Sequence, residues 1–249
     1  MKILLDNEEK KKFYPKFGNL KKTSKLKRWG NKKITRLNRI EYVTFAGKEV
    51  EEKRLVNFFN VLENRYQMAL YCLNEIRKDC KIVEDSEIAL KKMDEEMKDN
   101  SVYFEFAIKC EYFIFAMCSC LDNMAQIINL IYDFGIKPKS VGISTVYDEM
   151  KRKRDGFSRF LLKEWKKWID ELKDIRNKMT HHQIIQFSSN VSHLVEKKKV
   201  IFTKHCISVL DDKGNEITKQ LPTYFDEIMK NYKNLNYEFY KKINSQLDF

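Results

Sequence analysis

The sequence predicts a mainly α-helical protein, on the basis of three observations. With only 7 Gly and 3 Pro in 249 residues, the chain has few of the tight turns that a β-sandwich or a doubly wound sheet requires. Several long segments repeat apolar residues at steps of three and four. Hydrophobic residues make up 43% and charged residues 34%, which excludes a disordered chain. We therefore expect a helical bundle with a small β-hairpin insertion and a basic N-terminal arm.

Positive charge is concentrated in the N-terminal arm. Residues 1–50 contain 15 Lys and Arg against 5 Asp and Glu, so +10 of the formal net charge of +12 lies there. Aromatic residues between these cations would suit the phosphates and exposed bases of a nucleic acid: Phe13, Tyr14, Phe17 and Trp29. The alternative is a solvated arm whose rings pack onto the domain. We expect residues 1–50 to form this arm, with a short strand around Tyr42–Phe45, and residues 51–249 to form the helical domain.

Two long helices are predicted in the first half of the domain. The first runs from about residue 51 to 79, and a short helix should follow from Ser86, which can cap its N-terminus, to Lys98. The second, over 102–132, is the most apolar segment and is expected at the centre of the bundle. Beside its buried stripe lies a line of polar or weakly polar residues: Glu111, Cys118, Asp122 and Asn129. Because a carboxylate near a core needs a partner, Glu111 and Asp122 should either pair or border a wet cleft.

The second half of the domain has two further long helices and the hairpin. After the loop FGIKPKS, a short helix over 144–152 and a turn at Asp155–Gly156, a long helix is predicted over about 157–180. Segments rich in β-branched residues flank the turn DDKGN and predict the hairpin at about 184–217. The last helix, about 222–246, begins with Pro222.

The cysteines and the N-terminus indicate the compartment. Six cysteines are present without a CxxC pair, so we expect reduced thiols and neither a zinc site nor another cofactor. The start MKILLDNEEKKK loses its apolar character too early for a signal peptide, and no apolar run of about 18 residues is present. We expect a cytoplasmic protein that does not contact a membrane.

The end of the long helix carries the most informative motif, DIRNKMTHH, which holds two of the four histidines. On an ideal helix, Arg176 lies about 140° from His181 and about 240° from His182, so neither pair shares a face. Either the helix distorts near its end, or the Arg of one subunit meets the His of another across a two-fold interface.

These residue types suit the cleavage of a phosphodiester. An Arg can stabilise the charge added to phosphorus, while His transfers protons near neutral pH. In RNA the 2′-OH can serve as the nucleophile, so the protein needs no metal, Ser or Cys. The structural alternative is that His182 continues the core stripe seven residues after Ile175, and that Arg176 and Asn177 cap or pair locally at the helix C-terminus.

The motif RNKMTH resembles the RNxxxH form of the Rx4-6H motif of HEPN (higher eukaryotes and prokaryotes nucleotide-binding) domains, helical bundles many of which are metal-independent RNases. The helix before it contains Trp165 and Trp168, and the earlier segment CEYFIFAMCSCLDNMAQIIN is similar to the polar-flanked helix of such domains. The sequence most resembles the prokaryotic Cthe-2314-like HEPN group, over roughly residues 51–246.

The resemblance implies roles for particular residues. Arg176 and His181 would be catalytic, Asn177 would orient the site or the phosphate, and His182, at the Rx5H spacing, would replace or assist His181. Asp122 and Glu111 would be supporting polar residues opposite the motif. The resemblance also implies a homodimer with a composite cleft.

We expect a metal-independent endoribonuclease that cuts single-stranded or loop RNA by 2′-OH attack, in prokaryotic defence or a toxin-like role, with an antitoxin or regulatory protein as a further partner. The alternative is a non-catalytic HEPN scaffold that binds RNA or protein. A metal-binding bundle is weaker, because the sequence has no Glu-x-x-His pairs on two helices.

Overall fold

The structure, a computed structural model, describes residues 36–37, 40–45, 48–80, 100–180, 186–194, 199–210 and 216–246. Helices account for most of these residues, which confirms the mainly α prediction. In chain order, the elements are β1 (Arg36–Leu37), β2 (Ile40–Phe45), β3 (Lys48–Glu51), α1 (Glu52–Asp79), α2 (Asn100–Tyr132), α3 (Ile143–Met150), α4 (Gly156–Glu164), α5 (Asp170–Thr180), β4 (Gln186–Leu194), β5 (Lys199–Leu210), β6 (Glu216–Gln220) and α6 (Thr223–Gln246).

The first three strands form a small antiparallel sheet in the order β1-β2-β3. The strand predicted around Tyr42–Phe45 is confirmed as part of β2, which pairs Tyr42 with Glu51 and Phe45 with Lys48 of β3. Residues 1–35 of the predicted basic arm and the helix predicted from Ser86 to Lys98 lie outside the described residues.

The helices α1 and α2 begin and end within about two residues of their predicted bounds. Their apolar stripes are buried as periodicity requires, including Leu62, Leu73 and Ile76 on α1 and Ile114, Met117, Leu121, Met124 and Ile128 on α2. By length and composition, Phe104–Tyr132 could span a membrane, with a mean hydropathy of 1.4, although the sequence suggested no such apolar run. Because 67% of its most apolar window is buried inside the protein, we attribute this apolar character to a position in the core.

The long helix predicted over 157–180 is present but is not uniform. Asp155 caps its start by accepting a 2.7 Å hydrogen bond from the backbone N–H of Ser158. A π-helical segment, Trp165–Ile169, connects α4 with α5. A π turn is wider than an α turn, and here the consecutive residues Trp168 and Ile169 are both buried.

The insertion after α5 is larger than the predicted hairpin. Strands β5 and β6 do lie on either side of the DDKGN segment in the chain, with Leu210 opposite Glu216 and Cys206 opposite Gln220. However, β4 also pairs with β5, so the insertion is a three-stranded antiparallel sheet in the order β4-β5-β6 that ends at Gln220 rather than near residue 217. The hairpin prediction identified strands β5 and β6 but not the third strand, and the predicted DDKGN turn itself lies outside the described residues.

The chain divides into two compact units. Of the described residues, those within 1–65, 119–167 and 232–249 form unit one, whose core includes Phe59, which lies 6.4 Å from Phe239 and 5.9 Å from Tyr240 between ring centroids. Those within 66–118 and 168–231 form unit two, whose core includes Phe113 stacked on Phe225 at 4.3 Å. The RNxxxH motif begins in unit two, whereas Asp122 belongs to unit one.

Candidate active site

The helix α5 positions the first half of the motif in its last turn. Leu172 and Ile175 are buried and anchor this helix in unit two. Arg176 follows Ile175 and is half-buried, while Asn177 is exposed. A cation near a helix C-terminus is favoured by the partial negative charge of the last carbonyl groups, so the position itself stabilises a charged Arg176.

The guanidinium of Arg176 is not fully satisfied. Its Nε is buried and donates no hydrogen bond to an acceptor among the described residues. A buried donor without an acceptor costs about 1–3 kcal/mol, and more when the group carries a charge. The Nε–H of Arg176 can donate a charge-assisted hydrogen bond to an anionic group.

Two neighbours in the motif have clear local contacts. Lys178 is buried, and its Nζ lies 2.6 Å from Oδ2 of Asp174, one turn earlier. The hydroxyl of Thr180 lies 2.9 Å from the carbonyl oxygen of Asn177 and 3.2 Å from that of Arg176. These contacts stabilise the last turn, so the backbone that carries Arg176 and Asn177 is α-helical up to Thr180.

The sequence left two ways to bring Arg176 and a histidine together. The distortion that the structure contains, at Trp165–Ile169, lies before Arg176 and therefore does not alter the spacing from Arg176 to the histidines. His181 and His182 themselves lie outside the described residues. Both routes therefore stay predictions.

Asp122 has a structural contact. Its Oδ1 accepts a 3.0 Å hydrogen bond from the backbone N–H of Ile143, in the first turn of α3. A carboxylate at a helix N-terminus satisfies an otherwise unpaired N–H and is favoured by the helix dipole. The carboxylate is thus paired with a backbone group rather than with an arginine.

Glu111 differs from Asp122 in its surroundings. It is exposed on α2, in unit two, and makes no hydrogen bond or ion pair with the described residues. An exposed carboxylate remains hydrated, so no desolvation cost has to be offset by a charged or hydrogen-bonded partner. The partner expected from the sequence is therefore not required.

The other two members of the polar line also make local contacts. Asn129 is buried, and its side-chain amide donates a 3.0 Å hydrogen bond to the carbonyl of Ile136 and accepts a 3.2 Å bond from its N–H. The thiol of Cys118 lies 3.9 Å from the carbonyl oxygen of Leu172 on α5. Asn129 thus stabilises the loop after α2, and Cys118 contacts the neighbouring helix α5.

A charged group near the start of α5 was missed by sequence reasoning. Glu171 pairs with Lys219 of β6 at 3.1 Å and also hydrogen-bonds to Tyr224. Burial, with the charge and hydrogen bond of Glu171, raises the pKa of Tyr224 well above its usual value. No sequence pattern relates these residues, since Lys219 lies 48 positions after Glu171. By contrast, the i, i+4 spacing of Asp174 and Lys178 could have been recognised as a helical ion pair.

The described residues contain no group of three or more His, Cys, Asp or Glu side chains placed to hold a metal ion. All six cysteines are free.

A helical domain in which a long helix ends in RNxxxH defines a HEPN-type protein. The comparison with known families agrees: a family model described as Cthe-2314-like HEPN matches residues 52–236, more than half of the chain. The protein belongs to this HEPN family, and this membership indicates a nuclease or RNA-binding domain. No curated protein and no solved structure matches the chain.

Proposed function

We propose that the protein is a metal-independent HEPN endoribonuclease that cleaves single-stranded or loop RNA. The observation that carries the proposal is Arg176, a half-buried cation at the motif position whose Nε has no acceptor among the described residues. Family membership supplies the substrate class, since the matched residues include the Arg176–His182 segment.

The proposed reaction uses the RNA's own 2′-OH. A histidine, His181 or His182, removes the 2′-OH proton as the oxygen attacks the adjacent phosphorus, and the bond to the 5′ oxygen breaks. The histidine, now protonated, or its copy in a second subunit donates a proton to the leaving 5′ oxygen, so the products carry a 2′,3′-cyclic phosphate and a 5′-OH. Arg176 stabilises the charge that develops on the phosphoryl oxygens, and Asn177, which is exposed, orients the phosphate.

The test is cleavage of a mixed-sequence RNA in EDTA by wild type and by single variants. Arg176→Ala, His181→Ala and His182→Ala are compared with Arg159→Ala, which removes an exposed arginine of α4. We expect cleavage with cyclic phosphate ends by wild type and Arg159→Ala, and a loss of about a hundredfold to a thousandfold in Arg176→Ala. The histidine variants identify which of the two transfers protons.

Three results would contradict the proposal. If folded wild-type protein binds the RNA and leaves it intact, the protein is a non-catalytic HEPN scaffold. If Arg176→Ala cleaves as fast as wild type, the motif does not carry the activity. Cleavage that requires added metal would also reject the mechanism.

We further propose that the active form is a homodimer, because a second copy brings another Arg176 and another histidine pair to a shared cleft. An exposed apolar row on α2, in the same unit as Arg176, supports self-association: Phe104, Ile108, Tyr112 and Phe115 are 66%, 37%, 56% and 39% exposed. Their spacing places them on one helix face, and contiguous apolar surface of this kind is uncommon on monomers.

Sedimentation equilibrium tests this dimer. We expect the wild-type protein to be a dimer and the Tyr112→Lys variant to be a monomer. The control Tyr237→Lys, at a tyrosine of α6 that is 63% exposed, should remain a dimer. A monomeric wild type that cleaves RNA would reject the dimer and leave the nuclease proposal standing. A cytoplasmic defence or toxin-like role, with an antitoxin or other regulator, is proposed on family grounds alone.

A further inference from the structure

Two neighbouring loops of unit one form a basic surface. The first follows α2 and covers residues 133–142, and the second follows α3 and covers residues 151–155. Six cations on these loops are exposed: Lys137, Lys139, Lys151, Arg152, Lys153 and Arg154. We call these two loops the basic loop surface.

Specific contacts hold the two loops beside each other. The hydroxyl of Tyr132, at the end of α2, donates a 2.6 Å hydrogen bond to Asp155 at the end of the second loop. The Nζ of Lys153 lies 5.5 Å from the centroid of the Phe134 ring, which itself stacks on Tyr132. The two loops are therefore in contact with each other through Phe134 and Lys153.

The second loop is also fixed internally. The hydroxyl of Ser158 lies 3.0 Å from the carbonyl oxygen of Lys153, and the N–H of Lys153 donates to the carbonyl of Met150. Lys151 Nζ lies 4.4 Å from the ring centroid of Tyr147. Charges held on a fixed backbone lose less conformational entropy when they bind a ligand.

The charge of this surface is only partly balanced by the protein. Lys137, Lys139 and Arg154 have no acidic partner among the described residues. The acids of the two loops are Asp133, which is exposed, and Asp155, which is paired with Lys242, 2.8 Å away. Lys151 and Arg152 pair with Asp148 and Glu149 at i, i+3 on the exposed surface, where ion pairs contribute little and can exchange for another anion.

We propose that the basic loop surface binds the phosphodiester backbone of RNA, as a contact additional to the RNxxxH motif, which lies in unit two. The choice of RNA over another polyanion rests on the proposed function; the binding surface itself rests on the six cations and their fixed loops. Phosphate contacts position a nucleic acid without reading its sequence. The basic loop surface would therefore bind RNA without determining the position at which the RNA is cleaved.

The experiment measures binding separately from cleavage. Every variant is made in the Arg176→Ala protein, so that the RNA stays intact, and binding of a labelled single-stranded RNA is followed by fluorescence anisotropy over a range of KCl concentrations. The test variant is Lys137→Gln, Lys153→Gln, Arg154→Gln. The matched control is Lys163→Gln, Lys166→Gln, Lys230→Gln, which removes three exposed cations outside the two loops and changes the net charge equally.

We expect the test variant to bind the RNA roughly tenfold or more weakly than the control at about 0.1 M salt. The slope of log affinity against log salt should also be shallower by about 2 in the test variant, because each lost phosphate contact reduces the slope by about 0.7. Equal affinity and slope in the two variants would overturn the inference, as would the absence of RNA binding in the parent protein. Cleavage by wild type is scored on its own. Intact RNA with wild type would reject the proposed activity, while a weaker affinity of the test variant would still support the surface.

Discussion

The Nζ of Lys178 lies 2.6 Å from Oδ2 of Asp174, one helical turn earlier, whereas Arg176, between them in sequence, has a buried Nε with no acceptor among the described residues. Asp174 therefore pairs with one cation of the helix, whereas the Nε of the other donates to no described residue. We expect Lys178 to support the helix and Arg176 to be available to a ligand, and this difference can be measured.

Replacing Arg176 should separate stability from activity. We expect Arg176→Met to change the free energy of unfolding by less than about 1 kcal/mol, because the removal of a buried donor that lacks an acceptor offsets the loss of a cation favoured near the helix C-terminus. The same variant should not cleave RNA. Urea unfolding followed by circular dichroism checks the stability, with Asn177→Ala, at an exposed site, as the control. A loss of several kcal/mol in Arg176→Met would show that the guanidinium has a structural partner.

The Lys178–Asp174 pair should respond differently to the loss of each partner. Asp174→Ala leaves the Lys178 ammonium, whose side chain is 10% exposed, without this carboxylate, and should lower the free energy of unfolding by about 1–2 kcal/mol. The expected loss is kept this small because the side chain of Asp174 is 52% exposed, and water screens the attraction between the two charges. Lys178→Met keeps an apolar side chain in place of the lysine stem and should change the free energy of unfolding by less than about 1 kcal/mol. Urea unfolding of both variants checks this; a larger loss in Lys178→Met would contradict it.

Asp155 should make stability depend on acid pH. Burial opposes its charge, but hydrogen bonds from Lys242, Tyr132 and the N–H of Ser158 outweigh burial and lower its pKa from 3.8 to about 2. Because the folded pKa lies below the unfolded one, the charged form stabilises the fold above about pH 4. This contribution is lost as the pH falls from about 4 to 2.

Two variants at this position separate charge from capping. Asp155→Asn keeps an acceptor for the Ser158 N–H and should be less stable than wild type at pH 7, with the difference shrinking toward pH 2. Asp155→Ala also loses the helix cap and should lower the free energy of unfolding by about 1 kcal/mol more than Asp155→Asn does, at every pH measured. Unfolding curves at pH 7, 4 and 2.5 test this. A difference between Asn and wild type that is independent of pH would contradict the assigned pKa.

The cysteines should be unreactive in the folded protein. Burial, with smaller contributions from Asp79 and Asp226, raises the pKa of Cys80 to about 12, and burial also raises the pKa of Cys72 and Cys110. At pH 8 the thiolate fraction of Cys80 would be about 10⁻⁴, so a thiol reagent should label it slowly. All six thiols should react at once in denaturant. Rapid labelling of Cys80 in the native protein would contradict this.

The regular elements could be predicted because each depends on local spacing. Apolar residues at steps of three and four place one face of α1, α2, α5 and α6 against a core, whatever the neighbouring element is. The π-helical segment at Trp165–Ile169 could not be predicted, since Trp165 and Trp168 fit the three-residue step of an ordinary helix. Strand β4 was missed because the DDKGN turn signals only the two strands beside it.

The sequence by itself determined the helical class, the bounds of the long helices and the position of the RNxxxH motif, because these follow from periodicity and short-range residue order. Only the tertiary structure decided which polar groups are satisfied. Asp122 accepts from the Ile143 N–H, 21 residues later, and Glu171 pairs with Lys219 of the second sheet, while Arg176 Nε receives no acceptor from the described residues. Hydrogen-bond partners depend on distances between elements far apart in the chain, and no local pattern encodes those distances.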